Sequence, residues 1–217
     1  MLQANKGETM SGCCCCEVEI KNRGERKVLI ALLAINALMF LVEITVGVIG
    51  NSTALIADSL DMLADATVYG IGLYAVGKSA LAKIKAAHIS GMLQVVLGAG
   101  VAIDVTRRLI WGSEPKSFIM ITIGGIALIA NVICLQMIAK HRKGEVHMRA
   151  SWVFSKNDVI ANLGVILGGW LVYLFGSRFP DLIIGLAIAI IVTRGGVLII
   201  RDAKNEKLTQ SQGLPHD

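Results

Sequence analysis

The stretch Asn51–Val76, NSTALIADSLDMLADATVYGIGLYAV, decides the fold. It has the length and apolar character of a membrane-crossing helix, yet it carries Asp58, Asp61 and Asp65. On a helix, residues three, four and seven apart share a face, so the three carboxylates form one acidic stripe. An Asp at the centre of a membrane helix costs about 2.5–3.5 kcal/mol on insertion scales. Three on one face must therefore look toward protein, water or a cation, and the stripe reads as a cation site inside a membrane bundle.

The rest of the chain agrees. Its 217 residues are 54% hydrophobic and 17% charged, with a mean hydropathy of +0.66, too apolar for an ordinary soluble domain. Aromatics make up 5% and glycine is frequent at 23 residues, which suits helices that approach closely in a membrane. The net charge of +5 does not indicate nucleic acid, because the basic residues cluster beside apolar runs, where topology accounts for them. No phosphate loop, nucleophile elbow or nucleotide domain is legible, so the chain does not read as an enzyme.

Six runs of membrane-spanning length follow a polar tail, residues 1–27. They are Val28–Ile49 with Asn36 and Glu43, then Ala54–Val76, then Ala86–Val105 with His88 and Gln94. Next come Phe118–Ala139 with Asn131 and Cys134, and Trp152–Phe175 with Lys156, Asn157, Asp158 and Asn162. Leu182–Ile200, with Arg194, is the last. Lysines and arginines are richer before the first run, between the second and third, between the fourth and fifth, and after the sixth. Assigning those segments to the cytoplasm gives an all-α, six-transmembrane-helix bundle with both termini cytoplasmic. The expected organisation is a Cys-rich tail at 1–27, a transmembrane domain at 28–201 and a short tail at 202–217, in a multi-pass inner-membrane protein.

Depth ties two of these helices together. Counting from Asn51 at 1.5 Å per residue, Asp61 lies about 15 Å into the layer. Counting from Arg149 on the other side, Asp158 lies about 13 Å in. Both fall near the middle of a hydrocarbon layer about 30 Å thick, on helices of opposite direction. Asp61 and Asp65, one turn apart, are placed to hold one ion, with Asp158 supplying a third ligand. Carboxylate oxygens suit Mg, Ca and Mn and also bind Zn, Fe(II) and Co(II). A divalent ion among three carboxylates leaves a charge near −1, and protons released on loading give a route to metal–proton exchange.

Two motifs carry a family likeness. N-S-T-A-L-I-A-D-S-L-D-M-L-A-D at 51–65 and S-K-N-D-V-I-A-N-L-G-V-I-L at 155–167 resemble the second- and fifth-helix signatures of the cation diffusion facilitator family of divalent metal transporters. Asn36, Phe40, Glu43 and Gly47 in the first run, and P-D-L-I-I-G-L-A-I-A-I at 180–190, fit as well. The resemblance implies a six-helix bundle, a homodimer, that exports ions such as zinc in exchange for protons. It implies a tetrahedral site built from His or Asp four residues before Asp in each of the two helices. Asp61 and Asp65 match the first pair, and Asp158 matches the second member of the other. The remaining position falls on Phe154, which cannot ligate, and water, Asp58, Asn157 or Asn162 are candidates to complete the shell. Only 16 residues follow Arg201, too few for the cytoplasmic domain that many members carry, so the chain reads as a short form.

The expected function is a secondary transporter exporting Zn, Cd, Co, Mn or Fe(II), with the metal as cargo and no separate cofactor. The alternatives are a membrane metal sensor or assembly partner with a degenerate site, and a passive cation channel. Glu43 is a further candidate to line the cavity or relay protons. Cys13, Cys14, Cys15 and Cys16 could capture a soft metal at the N-terminus, though consecutive thiols cannot all converge on one ion without strain. Their blander reading is a thiol-rich tail in a reducing compartment.

Overall fold

The computed structural model describes residues 14–75, 80–139 and 146–212. Six helices account for nearly all of them: α1 Cys14–Ile49, α2 Thr53–Ala75, α3 Ala80–Trp111, α4 Ser117–Ala139, α5 Val146–Phe175 and α6 Phe179–Gln212. Five are long and apolar enough to cross a membrane. The other, α2, has 23 residues and differs by carrying the three aspartates.

Burial is inverted relative to a water-soluble domain. Leu38, Leu41, Ile103, Trp111, Phe118 and Phe175 are exposed, while Asn36, Glu43, Asp58, Asp65, Asn131, Asp158 and Asn162 are buried. So much apolar surface would drive aggregation in water, whereas acyl chains solvate it without penalty. The chain is an all-α, multi-pass membrane bundle.

Small residues set the closest packing. The α3–α6 contact is the most extensive in the bundle, followed by α1–α2 and α4–α5. A Cβ on Gly91 would lie 2.7 Å from the Gly196 carbonyl oxygen, and one on Gly98 would lie 2.9 Å from the Ala189 carbonyl oxygen. No side chain fits at either place, so glycine there lets the α3 and α6 backbones touch. α2 runs through the middle, packed against α1, α3, α5 and α6.

The end of α2 that begins the acidic stretch is fastened by polar contacts. Asn51 turns the chain with φ of 56°, a left-handed conformation that Asn tolerates better than most residues. Arg108 of α3 donates to the Asn51 carbonyl oxygen at 2.5 Å and to its Oδ1 at 2.8 Å. Ser52 caps α2, its Oγ accepting from the Leu55 N–H at 3.2 Å. Asp181 of α6 accepts from Ser52 Oγ at 2.6 Å and from the Thr53 and Ala54 N–H groups at 2.7 and 3.0 Å. A carboxylate at a helix N-terminus satisfies orphan donors and complements the helix dipole.

Helix ends differ from the expected spans. α3 covers 80–111 rather than 86–105, and α1 continues back to Cys14 through the segment read as a tail. Hydropathy marks the hydrocarbon layer, while a helix can continue beyond it into polar surroundings. The Cys13 site lies outside the described residues. Cys14, Cys15 and Cys16 fall in the first turn of α1, with their side chains outside the description.

Candidate metal centre

Asp61 and Asp65 stand one turn apart on α2, and α5 crosses opposite them with Asp158. Each of the three contributes an oxygen, and those oxygens lie within 4.8 Å of one another. Asp65 and Asp158 are buried and Asp61 is half-buried. The matched depths of Asp61 and Asp158 therefore correspond to a real convergence of side chains.

The three border a cavity of about 40 Å³, together with Gln94 of α3, Asn157 of α5 and Ile191, Val192 and Gly195 of α6. The space has room for an ion together with water, and the three carboxylates border it directly. Asp158 Oδ2 is buried with no hydrogen-bond partner among the described residues. It is the kind of acceptor that a cation or proton satisfies.

Tyr69 holds Asp65 from the next turn of α2. Its hydroxyl donates to Asp65 Oδ2 at 3.1 Å and lies 3.4 Å from Ser155 Oγ. The ring packs in a cluster with Leu29, Leu32, Cys134 and Ile138, which fixes it. Tyr69, Ser155 and Gln94 were not singled out as site residues by sequence reasoning. The Asp65–Tyr69 spacing of one turn was the available signal.

Asp58, Glu43 and Asn162 were candidates for the same shell, and the structure places them in a neighbouring network. Asn162 donates to Asp58 Oδ2 at 2.7 Å, and Asn131 donates to Asn162 Oδ1 at 3.2 Å. Glu43 of α1 is fully buried, and its two oxygens meet no donor among the described residues. Asp58 is thus held by Asn162 and is not one of the three converging carboxylates.

Phe154 precedes Asp158 by four residues on α5, and its side chain lies outside the described residues. Lys156 is exposed, 5.8 Å from the centre of the Trp152 ring, so it is turned away from the acidic cluster.

Comparison with known proteins points the same way. A metal cation efflux system protein, CzcD, of Cupriavidus metallidurans is 24% identical over 205 residues, covering 89% of this chain and 64% of that protein. A cadmium, cobalt and zinc/H(+)-K(+) antiporter of Bacillus subtilis is 25% identical over 201 residues, covering 84% of this chain and 63% of that protein. The vacuolar zinc transporter ZRC1 of Saccharomyces cerevisiae is 32% identical over 138 residues, 57% of this chain and 31% of its own length. The chain spans less than two thirds of the length of these relatives. The cation efflux transmembrane domain matches residues 29–206, which includes every helix that builds the site. The chain belongs to the cation efflux family.

Proposed function

We propose that this protein exports divalent transition-metal ions from the cytoplasm across the inner membrane in exchange for protons, using Asp61, Asp65 and Asp158 as ligands. The observation that carries the reading is the convergence of those three carboxylates, from two helices, on one small cavity. The relatives' names supply the cargo class, zinc, cadmium and cobalt, and one of them names antiport involving H(+) and K(+). The distribution of Lys and Arg supports cytoplasmic termini.

Charge balance suggests the coupling. With a divalent ion bound, three carboxylates leave the site near −1. When the ion departs, repulsion between the exposed charges is relieved by protons, which the next ion displaces. Binding and release both require carboxylates and water to trade places around the ion.

Proteoliposomes containing the full chain, with a metal-sensitive dye and a pH dye inside, test this. Expected is flux of at least one of Zn(II), Cd(II), Co(II), Mn(II) and Fe(II), with opposite proton movement. Asp61→Asn or Asp158→Asn is expected to reduce it at least tenfold. Absence of flux for all five ions would overturn the transporter reading. Metal flux without proton movement would replace exchange with passive conduction.

A further inference from the structure

Three carboxylates leave a tetrahedral ion one donor short. Two amides border the cavity, Asn157 of α5 and Gln94 of α3, and the more deeply buried is Gln94. Gln94 of α3 is 3% exposed and borders the same cavity as Asp61, Asp65 and Asp158. α6 leaves room for it. A Cβ on Gly196 would lie 2.9 Å from Gln94 Cβ, and a Cβ on Gly195 would lie 3.3 Å from Gln94 Oε1. Two successive glycines thus form a flat wall, against which the carboxamide rests with its oxygen beside Gly195, itself part of the cavity lining. Any larger residue at 196 would crowd the Gln94 stem.

We propose that the Gln94 amide oxygen is a further ligand of the transported ion, and that the resulting all-oxygen shell favours harder divalent ions, Mn(II) included, over Cd(II). This rests on the carboxylate site proposed above. A carboxamide is a neutral oxygen donor, so it completes coordination without deepening the negative charge. An imidazole would also be neutral, but its nitrogen would favour Zn and softer ions; oxygen ligands suit Mn and Mg. The ligand set then spans α2, α5 and α3. Because α3 is welded to α6, the ion touches both the central helix and the α3–α6 pair.

The test is equilibrium titration of the purified full chain in detergent with Mn(II), Zn(II) and Cd(II). It compares the unmodified protein with Gln94→Leu, which keeps the volume and removes the oxygen, and Gln94→His. Expected for Gln94→Leu is Mn(II) affinity lowered about tenfold or more, the scale seen when a site's supporting groups are removed. Cd(II) affinity should fall by clearly less. Expected for Gln94→His is a Mn(II)-to-Cd(II) affinity ratio shifted at least tenfold toward Cd(II). If Gln94→Leu elutes aggregated, the His ratio alone decides. Unchanged affinities and ratio in the Gln94 variants, with binding abolished by Asp61→Asn, would overturn the role of Gln94 and leave the carboxylate site standing. No binding by the unmodified protein would sink both.

Discussion

Tyr69 shows how much of the site depends on groups that are not themselves acidic. Its hydroxyl, donating to Asp65 Oδ2, sets which oxygen of that carboxylate remains free for the cavity. A hydrogen bond to a charged partner is worth about 1.5–3 kcal/mol, and losing a group that orients a ligand lowers metal affinity about 10–100-fold. Tyr69→Phe keeps the ring and its packing, so the expected outcome is a well-folded protein that binds metal at least tenfold more weakly. Titration with Mn(II) and Zn(II) measures this, and unaltered affinity would mean that Asp65 is oriented by something else. The carboxylates were legible in the sequence because acids in an apolar run have no ordinary explanation. Tyr69, Ser155 and Gln94 were not, because hydroxyl and amide side chains commonly serve as hydrogen-bonding glue between membrane helices. Whether such a group faces the ion or a neighbour is decided by helix rotation, which one sequence does not disclose. The same limit applies to Asp58. It shares the face of Asp61 and Asp65 in sequence, yet the rotation of α5 gives it to Asn162.

At the scale of elements, the number, order and apolar cores of the helices were readable from hydropathy, and their ends were not. The expected boundary at Ala86 misses the first turns of α3, because Lys83 and Lys85 continue the helix beyond the apolar run. What hydropathy could not convey is how α2 is held. Asp181 was visible only as part of a motif, whereas in the fold it closes the first turn of a helix 128 residues away in sequence. Asp181→Ala would leave the Ser52 hydroxyl and the Thr53 and Ala54 N–H groups without that acceptor. Each buried unsatisfied group costs about 1–3 kcal/mol. Some rearrangement or water entry will recover part, so a net loss of about 2–4 kcal/mol is expected. For a chain of this size that corresponds to a midpoint lowered by about 5–15 °C, using about 2–4 °C per kcal/mol. Thermal unfolding in detergent, followed by far-ultraviolet circular dichroism, measures it. A shift below 2 °C would show that α2 is held by Ser52 and Arg108 without Asp181.

For the whole molecule, an ion held at the proposed site would add a bridge between α2 and α5, helices that already pack on each other. Asp61 and Asp65 ride on α2 and Asp158 on α5, while α3 and α6 are locked together by backbone contact at Gly91 and Gly196. Without the ion, like charges meet where these parts join. The oxygens lie within 4.8 Å of one another, and two unit charges at that separation repel by about 3–4 kcal/mol at an effective dielectric near 20, a repulsion that bound protons relieve. With the ion, the same groups attract a common centre. The effect of removing one carboxylate on stability should therefore change sign between metal-free and metal-loaded protein. In chelator, Asp158→Asn removes one repelling charge, so it should unfold at a higher temperature than the unmodified protein. At a metal concentration 100 times the dissociation constant, the unmodified protein gains about 2.7 kcal/mol by mass action. At about 2–4 °C per kcal/mol, that is about 5–11 °C in its midpoint. Asp158→Asn, lacking the α5 ligand, should gain only a small part of this, so the order of the two midpoints reverses on adding metal. Scanning both proteins in detergent, with and without Mn(II) or Zn(II), gives the four midpoints. If Asp158→Asn gained as much from metal as the unmodified protein, α5 would contribute no ligand, and the ion would be a passenger of α2 alone.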